Sequence, residues 1–113
     1  MRILALITAL LLLLSCTPPK RHSRVRYVND TPGLKSEIRN AILAGDVIEG
    51  MTKEQVYASW ATPIFKGEKT ENGITYEYWT YPDMKNSPFV DLYFQNDVVV
   101  IIIKLDKKPD NID

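Results

Sequence analysis

Gly50-Met51-Thr52-Lys53-Glu54-Gln55-Val56 has the pattern of a helix start. A threonine at the N-cap accepts from the amide three residues on, and a glutamine at that third position reaches back to the threonine amide. Met51 and Val56 stand at N′ and N4, where two apolar side chains clasp the first turn. Val56 and Trp60 are four apart and share a face. Pro63 disfavours helix at Thr62, so the segment ends near Trp60 or Ala61. This short helix divides the chain, with helical spacing before it and strand-like alternation after it.

Upstream, Leu34, Ile38, Ala41 and Ile42 recur at helical spacing, with Lys35, Glu37 and Arg39 away from that stripe. Thr31-Pro32 supplies a cap and a proline for the first helical position, and Gly45 a stop. A first helix is therefore expected between Thr31-Pro32 and Gly45. Downstream, Asn72-Gly73 signals a tight turn before the aromatic, β-branched run Ile74 to Tyr81. Pro82 to Pro88 reads as a loop, Phe89 to Phe94 as a second strand, Gln95-Asn96-Asp97 as a turn and Val98 to Leu105 as a third strand. Ile64 to Lys69 is a candidate short strand outside these three. The expected fold class is α+β, with two N-terminal helices packed on a three-stranded antiparallel sheet.

Two features bear on the faces of that sheet. Alternation puts Tyr76 and Tyr78 on one side and Trp79 and Tyr81 on the other. One set fills the core, while the other offers a protein-binding row. Val98 to Ile103 is apolar at every position, so both faces of that strand are expected to be covered. The helices would cover one, and the tether, a partner or a second copy the other.

The N-terminus carries a different signal. Met1-Arg2 precedes an apolar run from Ile3 to Leu14, broken only by Thr8. About a dozen residues suit a signal-peptide core and fall short of the roughly 20 that span a bilayer. Leu13-Leu14-Ser15-Cys16 follows and resembles the bacterial lipobox. The resemblance implies cleavage before Cys16, a diacylglycerol on its thiol and acylation of the new amino terminus. Thr17, in place of aspartate, then points to the periplasmic face of the outer membrane. The expected organisation is a signal peptide over 1–15, a lipidated tether over 16–31, a folded domain over 32–107 and a C-terminal tail over 108–113. Lys20, Arg21, Arg24 and Arg26 make the tether basic, either lying on anionic headgroups or acting as a solvated spacer.

Composition narrows the chemistry. Lys plus Arg and Asp plus Glu both number 14, and no basic face with interleaved aromatics points to nucleic acid. Cys16 is the sole cysteine, so no intramolecular disulfide can form, and the sole histidine, His22, falls in the tether. Ser36 and Ser59 lie on helices without an evident base. Glu77 and Asp91, on neighbouring strands, are a candidate acid–base pair if they face each other, although solvated sheet-face charges are the simpler reading. No catalytic residue, cofactor, metal or small-molecule substrate is expected.

Taken with the lipobox, the order of elements resembles the SmpA/OmlA (BamE-like) outer-membrane lipoprotein family over about Ile42 to Lys104. The resemblance rests on Gly50, Met51, Thr52, Gln55, Val56 and Pro63, on Trp79-Thr80-Tyr81, and on the strand and turn ending in Phe94-Gln95-Asn96-Asp97-Val98. Ala61 stands where that family usually has glycine, and Asn96-Asp97 where it has Asn-Gly. The resemblance implies a non-enzymatic role: supporting β-barrel protein assembly or envelope integrity through contacts with outer-membrane assembly proteins. A periplasmic binding or inhibitor module on the same fold is the alternative.

Overall fold

A computed structural model describes residues 21–84, 87–110 and 112. The chain is α+β, and its described residues form three helices followed by four antiparallel strands in the order β1-β2-β3-β4. The helices are α1 (Arg21–Asp30), α2 (Ser36–Ala44) and α3 (Lys53–Trp60), and the strands are β1 (Phe65–Glu71), β2 (Ile74–Met84), β3 (Ser87–Gln95) and β4 (Val98–Leu105). This exceeds the expected two helices and three strands by one of each. Cys16, the signal segment and the start of the tether lie outside the described residues.

The extra helix lies within the stretch expected to be a tether. Tyr27 and Val28 pack against the core, and the Arg24 Nε donates to the Ser59 carbonyl at 2.9 Å. The spacing of Arg24, Tyr27, Val28 and Thr31 is helical, but a single aromatic and a valine among charges give no apolar stripe. Tertiary contact, rather than intrinsic propensity, holds this helix. Because α1 exists, the chain must reverse before α2. Pro32-Gly33 makes that turn, with Gly33 at φ +94°, instead of opening a helix. The expected start of the first helix therefore moves to Ser36, with Lys35 at the N-cap and no side-chain cap bond. Its stop at Gly45 is as read, in left-handed geometry.

The capping box of α3 forms completely. Gln55 N donates to Thr52 Oγ1 at 3.2 Å, and Thr52 N to Gln55 Oε1 at 2.9 Å. Met51 and Val56 are fully buried beside it. The same segment also lies along the start of edge strand β4. Gly50 N donates to the Val99 carbonyl, Val99 N to that of Met51 and Lys53 N to that of Asp97. The cap thus ties the helical layer to the sheet and covers part of an edge that would otherwise be open.

β1 is a full partner of β2 and pairs along its length from Phe65↔Thr80 to Glu71↔Ile74. The expected loop over Pro82 to Pro88 is mostly strand, with Pro82 opposite Phe89 and Met84 opposite Ser87. Thr80 turns its carbonyl toward β1, where it accepts from Ile64 N. Pro82 therefore directs its donor-less nitrogen to the same side, beyond the last pair with β1, where no ladder bond is lost. Both remaining hairpin turns are as read, with positive φ at Asn72 and Gly73 and at Asn96 and Asp97, the signature of type I′.

One core holds the two layers together. Ile42, Met51 and Val56 from the helical side meet Trp79, Tyr81, Val90, Leu92, Phe94 and Val99 from the sheet. In β4 the register shifts between Tyr93 and Phe94: Phe94 pairs with Val99 but Tyr93 with Ile101, leaving Val100 as an extra residue. This bulge puts Val99 and Ile102, three apart, on the same face.

Candidate functional site

The helices cover one face of the sheet only. The other face is built by alternate residues: Phe65 in β1, Tyr76 and Tyr78 in β2, Tyr93 in β3 and Ile101 and Ile103 in β4. Both isoleucines are about two-fifths exposed, at 41% and 40%. The helices cover one face of Val98 to Ile103 as expected, and the described part of the tether, α1, packs on α2 and α3 instead of covering the other. An apolar residue at every position conceals the alternation, which only the bulge and the helical layer reveal.

The tyrosines form a connected row. Tyr76 meets Tyr93 edge-on at 6.3 Å between centroids, Tyr78 meets Tyr93 at 5.4 Å, and Phe65 meets Tyr78 at 5.9 Å. Gly67 makes the row possible. A Cβ there would stand 2.6 Å from the Tyr78 ring, so only glycine lets that ring lie across β1. Such offset and edge contacts add about 0.5–1.5 kcal/mol per pair beyond area burial and stiffen the row. Partial burial raises the Tyr93 phenol above its ordinary value, and the charge of Asp91 adds to this. At the centre of the face the Thr80 hydroxyl donates to Asp91 Oδ1 at 2.6 Å. Beside it, an open groove of about 490 Å³ lies between Asp91 and the residues after β4, Asp106 to Asp110.

The carboxylate pair weighed from the sequence is not a pair. Glu77 lies opposite Phe94 on the helical face and forms an ion pair with Lys53 at the head of α3. Asp91 lies on the open face, bound to Thr80. The sheet separates the two, so they cannot act on one bond. Ser59 is buried and donates to the Asp46 carbonyl at 2.6 Å, and Ser36 is exposed. No cluster of three or more metal-ligating side chains occurs among the described residues, and no described helix is long and apolar enough to cross a membrane.

The residues of the sequence motif all serve the architecture. Gly50 takes φ +94° before the cap, Thr52 and Gln55 form the box, and Pro63 follows α3. Met51, Val56, Trp79, Tyr81 and Phe94 are core. The Tyr81 hydroxyl donates to the Ala61 carbonyl at 2.7 Å, and burial pushes its phenol well above the usual range. Lys66 Nζ lies 4.7 Å over the Trp79 ring, whose buried Nε1 has no hydrogen-bond partner among the described residues. No family model, curated protein or solved structure matches the chain.

Three contributors to the open face escape a sequence reading. Phe65 belongs to a strand that reads only as a short candidate, because its polar residues blur the alternation. Ile101 and Ile103 are hidden inside an apolar run. The available signal was Gly67, a glycine inside a strand, which marks a close approach by a neighbouring group.

Proposed function

We propose that this chain is a non-enzymatic, BamE-like lipoprotein of the bacterial outer membrane, supporting β-barrel assembly or envelope integrity by protein–protein contact. The open aromatic face carries this reading. Tyrosine and phenylalanine give large contact area at low entropic cost and are enriched where interfaces concentrate their energy. A contiguous apolar face on a small domain marks a binding surface more often than a chance exposure. The lipobox at Leu13 to Cys16 and the helix start at Gly50 to Val56 support the same family and location. Cys16 would hold the chain on the periplasmic face of the membrane, and the sheet would meet assembly proteins there.

The test is affinity purification from gently solubilised membranes, with mass spectrometry of the companions and of the N-terminus. Recovery of β-barrel assembly proteins with an acylated Cys16, lost in the Tyr78→Thr/Tyr93→Thr variant, is the expected result. A soluble periplasmic enzyme as dominant companion would instead make the chain an inhibitor-type module. Companions unaffected by the double variant would remove the open face from the reading.

A further inference from the structure

We propose that two copies of this chain join edge to edge through β4, with Ile101 to Leu105 pairing antiparallel with the same residues of the second copy. The second copy fills the edge of the sheet and leaves the aromatic face open, whatever protein that face binds.

The ladder shows which backbone groups point outward. Val99 N donates to the Met51 carbonyl and the Val99 carbonyl accepts from Gly50 N, so both groups point away from β3. Phe94, opposite Val99, therefore turns its own toward β2, and alternation along β3 aims Tyr93 and Asp91 at β4. The Thr80 carbonyl, which faces β1, requires the same phase, since Thr80 lies opposite Asp91. Ile101 and Ile103, opposite Tyr93 and Asp91, are thus bonded inward, while Ile102 and Lys104 point their polar groups at the edge. Among the described residues, no other backbone segment meets either of them. An apolar, β-branched edge with unpaired donors and acceptors is a template for a further strand.

The extent of the opening selects a second copy. Gly50 to Lys53 fill the edge as far as Val99, and β4 ends at Leu105. The described chain after Leu105 runs beside Asp91, on the β3 side, and does not follow the edge. A two-fold axis through Ile103 sets Ile101 against Leu105, so the added strand begins and ends where the opening does. Ile102 of each copy then meets Lys104 of the other, and each such pair exchanges both hydrogen bonds. Moving the axis to Ile102 drives Leu105 toward Val99, whose edge Met51 already fills. Moving it to Lys104 sets two like charges directly opposite. In the Ile103 register, Lys104 of each copy instead approaches the turn at the exposed Glu49, which closes the other's edge, and the charges there are opposite.

This axis is perpendicular to the sheet, so both aromatic rows come to lie on the same side of one continuous sheet. Ile101, Ile103 and Leu105 carry the open face across the join. A strand pair this short is small beside the roughly 1,200–2,000 Å² of stable interfaces, so the association is weak and is best trapped chemically.

The test is disulfide trapping of the full chain in membranes of cells that express it, read as dimer on non-reducing gels. The unsubstituted chain gives the background from Cys16. Ile103 faces its own copy across a pair that is not hydrogen-bonded, at about 4.5 Å between Cα atoms, within the span of a disulfide. Ile101 lies about 14 Å along the strand from its own copy, out of reach. Ile103→Cys should therefore give roughly ten-fold more dimer than Ile101→Cys, and co-expressed Ile101→Cys and Leu105→Cys chains should link to each other. Lys104→Pro removes only an outward N–H from an edge strand and should cut trapping at Ile103→Cys by roughly ten-fold with the melting temperature little changed. No dimer at Ile103→Cys, equal trapping at Ile101→Cys, or trapping that survives Lys104→Pro overturns the pairing. Should Lys104→Pro fail to fold, the contrast between positions 103 and 101 decides by itself.

Discussion

Leu92 and Tyr93 are neighbours in β3, yet Leu92 is wholly buried beneath the helices while Tyr93 stands half-buried on the face that the helices leave uncovered. The same contrast runs through the sheet, with Trp79, Tyr81 and Phe94 on one side and Tyr76, Tyr78 and Ile103 on the other. Both faces are rich in aromatic and aliphatic side chains, so hydrophobicity does not distinguish them. What differs is whether a second layer removes them from water. The covered face supplies stability, and the open face retains contact area for a partner.

The largest expected effect tests this division directly. Leu92→Ala should lower the unfolding free energy by about 3 kcal/mol, through lost transfer energy and a residual cavity. Ile103→Ala should cost under about 1 kcal/mol, because its side chain is already partly in water. Denaturant titration of the two variants measures both. Similar losses would mean that a second layer covers the open face in the free protein.

Next in size is an alkaline effect on the covered face. Burial holds the folded-state phenol of Tyr81 above the ordinary 10.0. A raised folded pKa means its contribution is full below about pH 10 and is lost as pH rises toward the folded value. That loss amounts to about 1.4 kcal/mol per pH unit. Unfolding curves near neutral pH and at about pH 11 should show this fall, and Tyr81→Phe should flatten it. The same variant should cost about 1 kcal/mol at neutral pH, since the Ala61 carbonyl loses its donor.

Two smaller effects concern the join between helices and sheet. Thr52→Ala removes the cap of α3 and should cost about 1 kcal/mol in thermal or chemical denaturation. Ala61 sits at φ 67°, ψ −147°, a region that suits glycine. Ala61→Gly should therefore raise stability, by under about 1 kcal/mol once the extra unfolded-state entropy of glycine is counted. A loss on Ala61→Gly would show that the methyl group contributes packing that outweighs the backbone strain.

Much of the fold was legible where local chemistry and tertiary environment agree. The cap at Thr52, the stop at Gly45, the turns at Asn72-Gly73 and Asn96-Asp97 and the opposition of Tyr78 to Trp79 all follow from near-neighbour rules. The candidate site was half legible: its tyrosines could be put on one face, but whether that face was covered could not be read. α1 escaped because its few apolar residues gain their burial only from α2 and α3. β1 was underweighted because Lys66, Glu68 and Lys69 look like loop, although partners across the ladder satisfy its backbone. The Glu77–Asp91 pairing failed because strand adjacency does not fix which face a side chain takes. That requires the register, in which Glu77 meets Phe94 and Asp91 meets Thr80.

The sequence by itself determined the local elements: helix starts and stops, hairpin turns and the period-two patterning of β2 and β3. These depend on backbone sterics and on hydrogen bonds between residues only a few positions apart. Only the tertiary structure decided that Arg21–Asp30 is a helix, that Val100 is a bulge and that one of two aromatic-bearing sheet faces stays uncovered. Those outcomes depend on which distant surfaces meet, and burial is a property of the assembled layers rather than of any one segment.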